Sequence, residues 1–404
     1  MNKAQPKNFV EGPFSYGQEI ILDISDLNNL GSGVGRIDNF VVIVPFALTG
    51  EKVKARIFRN HKNYSEADLI EVIEASSERE KAFCPLFEKC GGCQYQHLKY
   101  EAQLKYKQKQ IGDLFERIGG VKIDICPTYP SPKTSGYRSK LTPHYEKPGK
   151  DGSMPIGFIM QGRRRTLVDV PHCPIASESI NAELIKARED IQKISHKLKR
   201  GGTILLRDCF EGVVQDNNAI VTTRVDDFSF QFGAGDFFQN NPYILPDFIN
   251  YAIEEAKGSR FLVDAYCGVG LFGLCAAKHF EKVSGVEISS KSIMCANANA
   301  KINNVKNCEF MIGSSEEIFK EIKFPASDCS MIIDPPRSGC STDFLEQLCR
   351  YAPKKLVYVS CGPDTQARDI AFLTKNNYKL LKVQPFDMFP QTRHIESIAT
   401  LELV

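Results

Sequence analysis

An alternation between short apolar runs and polar, helix-length segments fills the region from about Phe261 to Cys361. No other feature constrains the fold as strongly. Four runs have the length and the β-branched content of buried strands: RFLVDAY, KVSGVEI, CSMIIDPP and KKLVYVSC. Strands that alternate in this way with amphipathic segments are typical of a parallel sheet covered by helices. We therefore predict an α/β domain in the C-terminal half of the chain.

Each of these predicted strands ends in a residue that can carry chemistry. The ends hold Asp264, Glu287, the DPPR segment that begins at Asp334, and Cys361. In an open parallel sheet, ligands bind beyond the carboxyl ends of the strands. The four groups should therefore lie near one another.

A glycine-rich turn follows the first strand. Gly268, Gly270 and Gly273 have G-x-G-x-x-G spacing, and Glu287 stands where a carboxylate can accept hydrogen bonds from ribose hydroxyls. This pattern fits NAD and S-adenosylmethionine about equally well. A hydride-transfer enzyme needs neither the DPPR segment nor Cys361, whereas a methyl-transfer enzyme can use both. We therefore predict a Rossmann-like domain that binds S-adenosylmethionine.

Cys361 lies at the tip of an apolar run and is followed by Gly-Pro, so it does not look like a core thiol. A thiolate that adds to carbon 6 of a pyrimidine makes carbon 5 nucleophilic, which is covalent catalysis. A base must afterwards remove the proton from carbon 5. His394 and Glu396, just before a final predicted strand, are the candidates for that base.

The rest of the chain divides into two further predicted parts. Residues 1–78 read as short strands and glycine turns, which suit a small β-barrel of the kind that binds oligonucleotides. Residues 79–235 form a mixed α+β region with a helix from Ser177 to about Lys199, and residues 236–404 hold the α/β domain. Between positions 81 and 165 there are 16 Lys and Arg against 7 Asp and Glu. This excess suggests a polyanion such as RNA as the partner, and a solvated surface helix is the alternative.

Four cysteines suggest a metal site. Cys84, Cys90 and Cys93 have C-x5-C-x2-C spacing, and Cys173 lies far downstream. Such a set can enclose zinc or an iron–sulfur cluster, and the spacing does not decide between them. Because the chain has neither a signal-like N-terminus nor a membrane-length apolar run, we expect a cytoplasmic protein with reduced thiols and no membrane partner.

Several blocks together resemble the RNA 5-methyluridine (uracil-5) methyltransferase family. They are GDFFQNNP, YCGVGLF, DPPRSG, YVSCGPDTQARD and DMFPQTRHIE, and the segment from Gly31 to Ile57 resembles a TRAM domain, a small RNA-binding barrel. The resemblance implies that Cys361 is the nucleophile and that Glu396 is the base. It also implies four residues that contact S-adenosylmethionine: Gln239, Tyr266, Glu287 and Asp334.

The same resemblance implies a [4Fe-4S] cluster held by Cys84, Cys90, Cys93 and Cys173, as in the ribosomal-RNA members of the family. The chain departs from the family at Gly362, where Asn is usual, so a side-chain hydrogen bond that orders the loop or the target ring is lost. We expect a methyltransferase for carbon 5 of uridine in 23S ribosomal RNA. The alternatives are a transfer-RNA uridine methyltransferase and a non-catalytic RNA-binding or assembly factor, and no protein partner is indicated.

Overall fold

The computed structural model describes Pro6 and residues 9–163, 165–314 and 318–404. The chain divides into two compact units. The first contains residues up to Tyr106 with Phe158–Val168 and Pro390–Arg393, and the second contains Lys107–Gly157, Asp169–Phe389 and His394–Val404. The three-domain boundaries drawn from the sequence, after residues 78 and 235, stay predictions.

The first unit contains a closed five-stranded barrel. Its strands are β1 (Glu19–Leu27), β2 (Ser32–Ile37), β3 (Phe40–Pro45), β4 (Lys52–Asn60) and β5 (Tyr64–Glu74), in the order β1-β2-β3-β5-β4. Apolar residues alternate along β1 and β4, which places Leu22, Ile24, Val53 and Ala55 in the barrel core. The predicted small barrel is confirmed.

Eight helices in the described part of the chain connect or cover the strands. They are α1 (Tyr100–Leu114), α2 (Glu178–Lys193), α3 (Leu245–Ala256), α4 (Leu271–Ala276), α5 (Ser290–Ile302), α6 (Ile318–Glu321), α7 (Thr342–Tyr351) and α8 (Pro363–Thr374). The helix predicted from Ser177 is α2, and the Ser177 side chain caps it by accepting a hydrogen bond from the Ile180 amide. None of the described helices has the length and apolar content needed to cross a membrane.

Three small sheets precede the main sheet. Their strands are β6 (Lys140–Leu141), β7 (His144–Tyr145), β8 (Ile156–Ile159), β9 (Leu167–Asp169), β10 (Gly202–Thr203), β11 (Leu206–Cys209), β12 (Gly212–Val214), β13 (Ile220–Val225) and β14 (Phe228–Gly233). The sheet orders are β10-β7-β8-β9, β12-β11-β6 and β13-β14. All nine strands lie within residues 79–235, the part of the chain that the sequence predicted to be mixed α+β.

The main sheet of the second unit has seven strands. They are β15 (Phe261–Ala265), β16 (Lys282–Glu287), β17 (Cys308–Ile312), β18 (Cys329–Ile333), β19 (Lys355–Ser360), β20 (Tyr378–Phe386) and β21 (Glu396–Leu403). Their order is β17-β16-β15-β18-β19-β21-β20. Strands β15 to β19 are parallel, as the alternation predicts, whereas β21 runs antiparallel to both β19 and β20.

The core of this unit consists of two large apolar clusters. One contains Phe248, Leu262 and Phe272, and the other contains Met331, Phe344 and Ile370. The central strands are apolar on both faces: every residue of β18 is buried. A sheet that is covered on both faces leaves its strand ends as the open place for ligands.

Candidate active site

The carboxyl ends of the parallel strands bring the predicted cofactor residues together. Ala265 at the end of β15 pairs with Val286 on β16 and with Ile333 on β18. Tyr266, Glu287 and Asp334 are the residues that follow these three positions, so they lie at one edge of the sheet. The Asp334 amide donates to the Ala265 carbonyl at 3.3 Å, which holds the DPPR segment against β15.

The glycine turn between β15 and α4 has an unusual backbone. Tyr266 has a φ of 64°, in the left-handed region that a tyrosine rarely adopts, and Gly270 has a φ of 85°. Backbone outliers of this kind concentrate at ligand sites, where the surrounding structure holds them in place. A Cβ on Gly273 would lie 3.0 Å from the Asp264 carboxylate, whose Oδ2 accepts the Gly273 amide at 2.8 Å.

The carboxylate of Glu287 is held by two backbone amides. Gly268 donates to its Oε2 at 3.3 Å and Ser289 donates to its Oε1 at 2.9 Å. The glycine turn and the end of β16 are therefore tied through the side chain that the sequence assigned to the ribose. Gln239 is almost fully buried in the loop between β14 and α3.

Asp264 and Asp334 both place a carboxyl group near the apolar core at this edge of the sheet. Asp264 is fully buried and Asp334 is partly buried, and loss of hydration raises the pKa of each to about 7; the nearby charges of Asp334 and Glu287 add to the effect on Asp264. Asp264 Oδ1 has no hydrogen-bond partner within the described part of the chain. Such an edge favours a ligand that brings positive charge.

Cys361 and Glu396 face each other across two antiparallel strands. Ser360 is the last residue of β19 and pairs with Ser397 on β21. Continuing that register by one residue beyond β19 places Cys361 opposite Glu396, the first residue of β21. Burial raises the pKa of the half-buried Cys361 thiol to about 11, with smaller contributions from Glu396 and Asp334. Burial also raises the pKa of Glu396 well above its usual range, and Asp334 adds to that.

Arg337 provides the positive charge beside both groups. Its charge and a side-chain hydrogen bond lower the pKa of Cys361, and its charge lowers the pKa of Glu396, both against the larger effect of burial. The DPPR segment thus brings a carboxyl at its first residue and a guanidinium at its last. The sequence indicated this segment, but gave Arg337 no role toward the thiol.

The loop after Cys361 is closed by hydroxyl groups. The Gly362 amide donates to Ser360 Oγ at 3.0 Å, and Thr365 Oγ1 lies 2.9 Å from the Gly362 carbonyl and 3.1 Å from the Arg337 carbonyl. A Cβ on Gly362 would lie 2.9 Å from Thr365 Oγ1. The loop is therefore ordered without the asparagine that is usual in the family, and it has little room for one.

The described residues include no recognisable metal site. Cys84, Cys90 and Cys93 belong to the first unit and Cys173 belongs to the second. Throughout the described ranges, no group of three or more His, Cys, Asp or Glu side chains is arranged to hold a metal ion. The [4Fe-4S] cluster implied by the resemblance is therefore not supported by the described residues.

Comparison with known proteins decides the family. The family model described as tRNA (uracil-5-)-methyltransferase matches residues 213–403, and the TRAM-domain model matches residues 13–70. A tRNA (uracil(54)-C(5))-methyltransferase of Schizosaccharomyces pombe is 43% identical over 97% of this chain and 80% of its own. The chain belongs to the tRNA (uracil-5-)-methyltransferase family. It is thus an S-adenosylmethionine-dependent RNA uracil-5 methyltransferase.

Other members show the same relationship. The tRNA (uracil(54)-C(5))-methyltransferase of Saccharomyces cerevisiae is 34% identical over 98% of this chain and 76% of its own. An uncharacterized RNA methyltransferase of Listeria innocua is 33% identical over 96% of this chain and 98% of its own. The crystal structure of the Pyrococcus abyssi tRNA (uracil-54, C5)-methyltransferase in complex with S-adenosyl-L-homocysteine matches with a TM-score of 0.73 and 26% identity, covering 95% of this chain and 100% of that one. The predicted family, the methyltransferase fold, the TRAM barrel and the methyl donor are confirmed.

Several residues that organise the site were not singled out in the sequence. Lys107 on α1 is fully buried and donates to Asp387 at 2.5 Å and to the His394 carbonyl at 3.0 Å, two residues before Glu396. Gln366 on α8 is fully buried beside the same strands. Nothing in a lysine within KYKQKQ or a glutamine within DTQARD distinguishes it from a surface residue.

Proposed function

We propose that this methyltransferase acts on carbon 5 of a uridine in transfer RNA through a covalent adduct with Cys361. The observation that carries the chemistry is the position of Cys361 opposite Glu396, with Arg337 and Asp334 beside them. For the substrate, support comes from the relatives named tRNA (uracil(54)-C(5))-methyltransferase, which suggest position 54. The same names disfavour 23S ribosomal RNA, the substrate expected from the sequence.

The methyl donor fits the carboxyl-rich edge of the sheet. The unpartnered Oδ1 of Asp264 and the raised pKa of Asp334 are features that positive charge would relieve. S-adenosylmethionine carries a sulfonium and an ammonium group, and when bound it supplies an electrophilic methyl group. Gln239, Tyr266, Glu287 and Asp334 would hold it, together with Asp264.

Cys361 would open the reaction. Its sulfur bonds to carbon 6 of the uracil, and the electron pair of the carbon 5–carbon 6 double bond moves toward oxygen 4. Carbon 5 would then attack the methyl group, the bond from that group to the donor sulfur would break to leave S-adenosylhomocysteine, and carbon 5 would still bear its own hydrogen. Because the resting thiol is protonated, it must first lose its proton to solvent, and the guanidinium of Arg337 favours the thiolate that results.

Glu396 would close the reaction. Its carboxylate removes the hydrogen from carbon 5, the double bond reforms, and the bond between carbon 6 and sulfur breaks to release Cys361. Burial raises the pKa of Glu396 and so favours its protonated form, which means that nearby positive charge helps it to act as a base. Arg337 provides such a charge.

A uridine inside structured RNA must leave its base stack to reach Cys361. The TRAM barrel would help to bind that RNA.

The substrate is tested by incubating the protein with S-adenosylmethionine and a transfer-RNA transcript that carries uridine 54. The matched controls are the same transcript with cytidine 54 and a 23S ribosomal RNA transcript. Methylation of the uridine 54 transcript alone supports the proposal. Methylation of only the ribosomal transcript would show that the substrate is ribosomal RNA and not transfer RNA. If the protein bound these transcripts but methylated neither, a non-catalytic factor would be favoured.

The two catalytic roles are tested by variants that should fail at different steps. Cys361→Ala should bind S-adenosylmethionine and RNA but form no adduct. Glu396→Gln should add to the base, transfer the methyl group and then stall, so a methylated RNA–protein adduct accumulates and survives denaturing electrophoresis. Full turnover by Cys361→Ala would exclude the thiol, and normal turnover by Glu396→Gln would make His394 the next candidate for the base.

The [4Fe-4S] cluster remains a prediction from the resemblance to the ribosomal-RNA members of the family. Because the described cysteines are not arranged to hold a metal, no step of the proposed reaction involves a cluster. If one is present, four cysteine ligands leave no open coordination position, so its role would be structural or in shaping the RNA.

A further inference from the structure

Both proposed catalytic groups stand at the end of the pairing between β19 and β21. Ser360 and Ser397 are the last pair in the register, and Cys361 and Glu396 come at the next position. Strand ends are the least stable part of a ladder, because their backbone hydrogen bonds open first. Chemistry that needs a nucleophile and a base on one ring therefore needs something that holds this end closed.

The side chain of Gln366 spans this end. Its Nε2 donates to the Tyr358 carbonyl on β19 at 2.8 Å, and its Oε1 accepts a hydrogen bond from Ser397 Oγ on β21 at 2.7 Å. Nε2 also lies 3.5 Å from the Ser397 carbonyl. Gln366 and Ser397 are both fully buried, so water does not compete for these bonds.

The backbone of Gln366 adds a third connection. Its amide donates to the Gly362 carbonyl at 3.0 Å in the first turn of α8, the helix that begins two residues after Cys361. One residue thus touches the strand before the nucleophile, the loop after it and the neighbour of the base. We propose that Gln366 is a positioning residue that holds Glu396 in register with Cys361, acting through Ser397.

This inference rests on the proposed function, because it assigns Glu396 the removal of the carbon 5 proton. The inference makes different predictions for two measurements. An RNA with 5-fluorouridine at the target position traps the enzyme after thiol addition and methyl transfer, since fluorine cannot leave as a proton does, so trapping does not need the base. Turnover on ordinary uridine needs both groups.

The variant Gln366→Leu removes the side-chain hydrogen bonds and keeps a similar volume. Its trapping rate should stay within about threefold of wild type while kcat on uridine RNA falls at least about tenfold, with KM for RNA unchanged. Ser397→Ala should shift the ratio of turnover to trapping in the same direction. The double variant should be no worse than the more impaired single variant, because both changes break one connection.

Gln384→Leu is the matched control. Gln384 is a buried glutamine on β20 whose Nε2 also donates to two backbone carbonyls, those of Pro127 and Pro385, but it contacts neither β19 nor β21 through them. The variant Gln384→Leu should be less stable than the wild-type protein but should have the same ratio of turnover to trapping. If Gln366→Leu and Ser397→Ala give the same ratio as Gln384→Leu, the positioning role is wrong.

The reference variant Glu396→Gln keeps the two proposals distinguishable. If it shows low turnover with normal trapping, the base is correctly assigned and the Gln366 result stands by itself. If Glu396→Gln turns over normally, or if the wild-type protein is not trapped, the proposed chemistry has failed instead. If Gln366→Leu does not fold, Ser397→Ala alone carries the test, since it deletes one hydroxyl and leaves the glutamine in place.

Discussion

The replacement Asp264→Asn should stabilise the cofactor-free protein by an amount that grows with pH. Burial raises the pKa of Asp264 from 3.8 to about 7, so the folded state binds a proton that the unfolded chain releases. The stability that comes from this proton is fully present below pH 3.8 and is lost as the pH rises to about 7. The total is about 4 kcal/mol, at roughly 1.4 kcal/mol for each pKa unit.

The measurable part lies between about pH 5 and pH 8, where the difference in unfolding free energy between the variant and wild type should increase by about 2.5 kcal/mol. Urea unfolding at a series of pH values gives this difference. The asparagine side chain can also change stability in a way that does not depend on pH, for example by weakening the hydrogen bond from the Gly273 backbone amide. Such an effect is equal at every pH, so it cancels when the differences at two pH values are compared. Asp334→Asn is the matched variant, because burial raises the pKa of Asp334 to about 7 as well.

Binding of the methyl donor gives an independent check on the same carboxyls. Positive charge at the sheet edge favours their ionised forms, so S-adenosylmethionine should bind more tightly as the pH rises from about 5 to 7 and should release protons as it binds. Calorimetry in two buffers of different ionisation enthalpy measures that release. A stability difference between Asp264→Asn and wild type that does not vary with pH, together with no proton release, would refute the reasoning.

Three other outcomes are expected. Lys107→Met should lower the free energy of unfolding by about 3–5 kcal/mol in urea titrations, because it leaves the buried Asp387 carboxylate without its cation, and removing both charged groups should restore part of that loss. If the cysteines bind a cluster, anaerobically purified protein should contain about four irons that Cys84→Ser loses, whereas a colourless protein without iron would exclude it. Replacing the exposed barrel residues Arg36 and Lys62 by Gln should weaken RNA binding and reduce the slope of log K against log salt by about one for each phosphate that is no longer neutralised; an unchanged slope would show that they do not bind phosphate.

The parallel part of the fold was accessible from the sequence for a physical reason. Buried parallel strands are apolar on both faces, and their open ends carry the functional residues, so both signals coincide along the chain. Asp334 and Cys361 were found in this way. The cap at Ser177 likewise marked the start of α2 because a serine hydroxyl there satisfies a free amide.

The buried polar contacts could not be predicted from the sequence. Lys107 and Gln366 lie among polar neighbours in the sequence, and residues of these types are usually exposed. Each is buried because of a partner about 280 residues away or on a neighbouring strand, Asp387 and Ser397 respectively. Pairings of that kind depend on strand register, which local patterns do not contain.

The direction of β21 explains how Glu396, at the beginning of its strand, lies at the same edge of the sheet as Cys361, which follows the end of β19. A parallel β21 would place its last residue at the edge where Cys361 lies. Strand β21 instead enters the sheet antiparallel, between β19 and β20, so its first residue, Glu396, lies at that edge. A short connection from β20 permits only this antiparallel arrangement, since parallel neighbours need a crossover. The base is therefore delivered by the topology of the C-terminal hairpin, and the contacts of Gln366 hold its first residues where that topology places them.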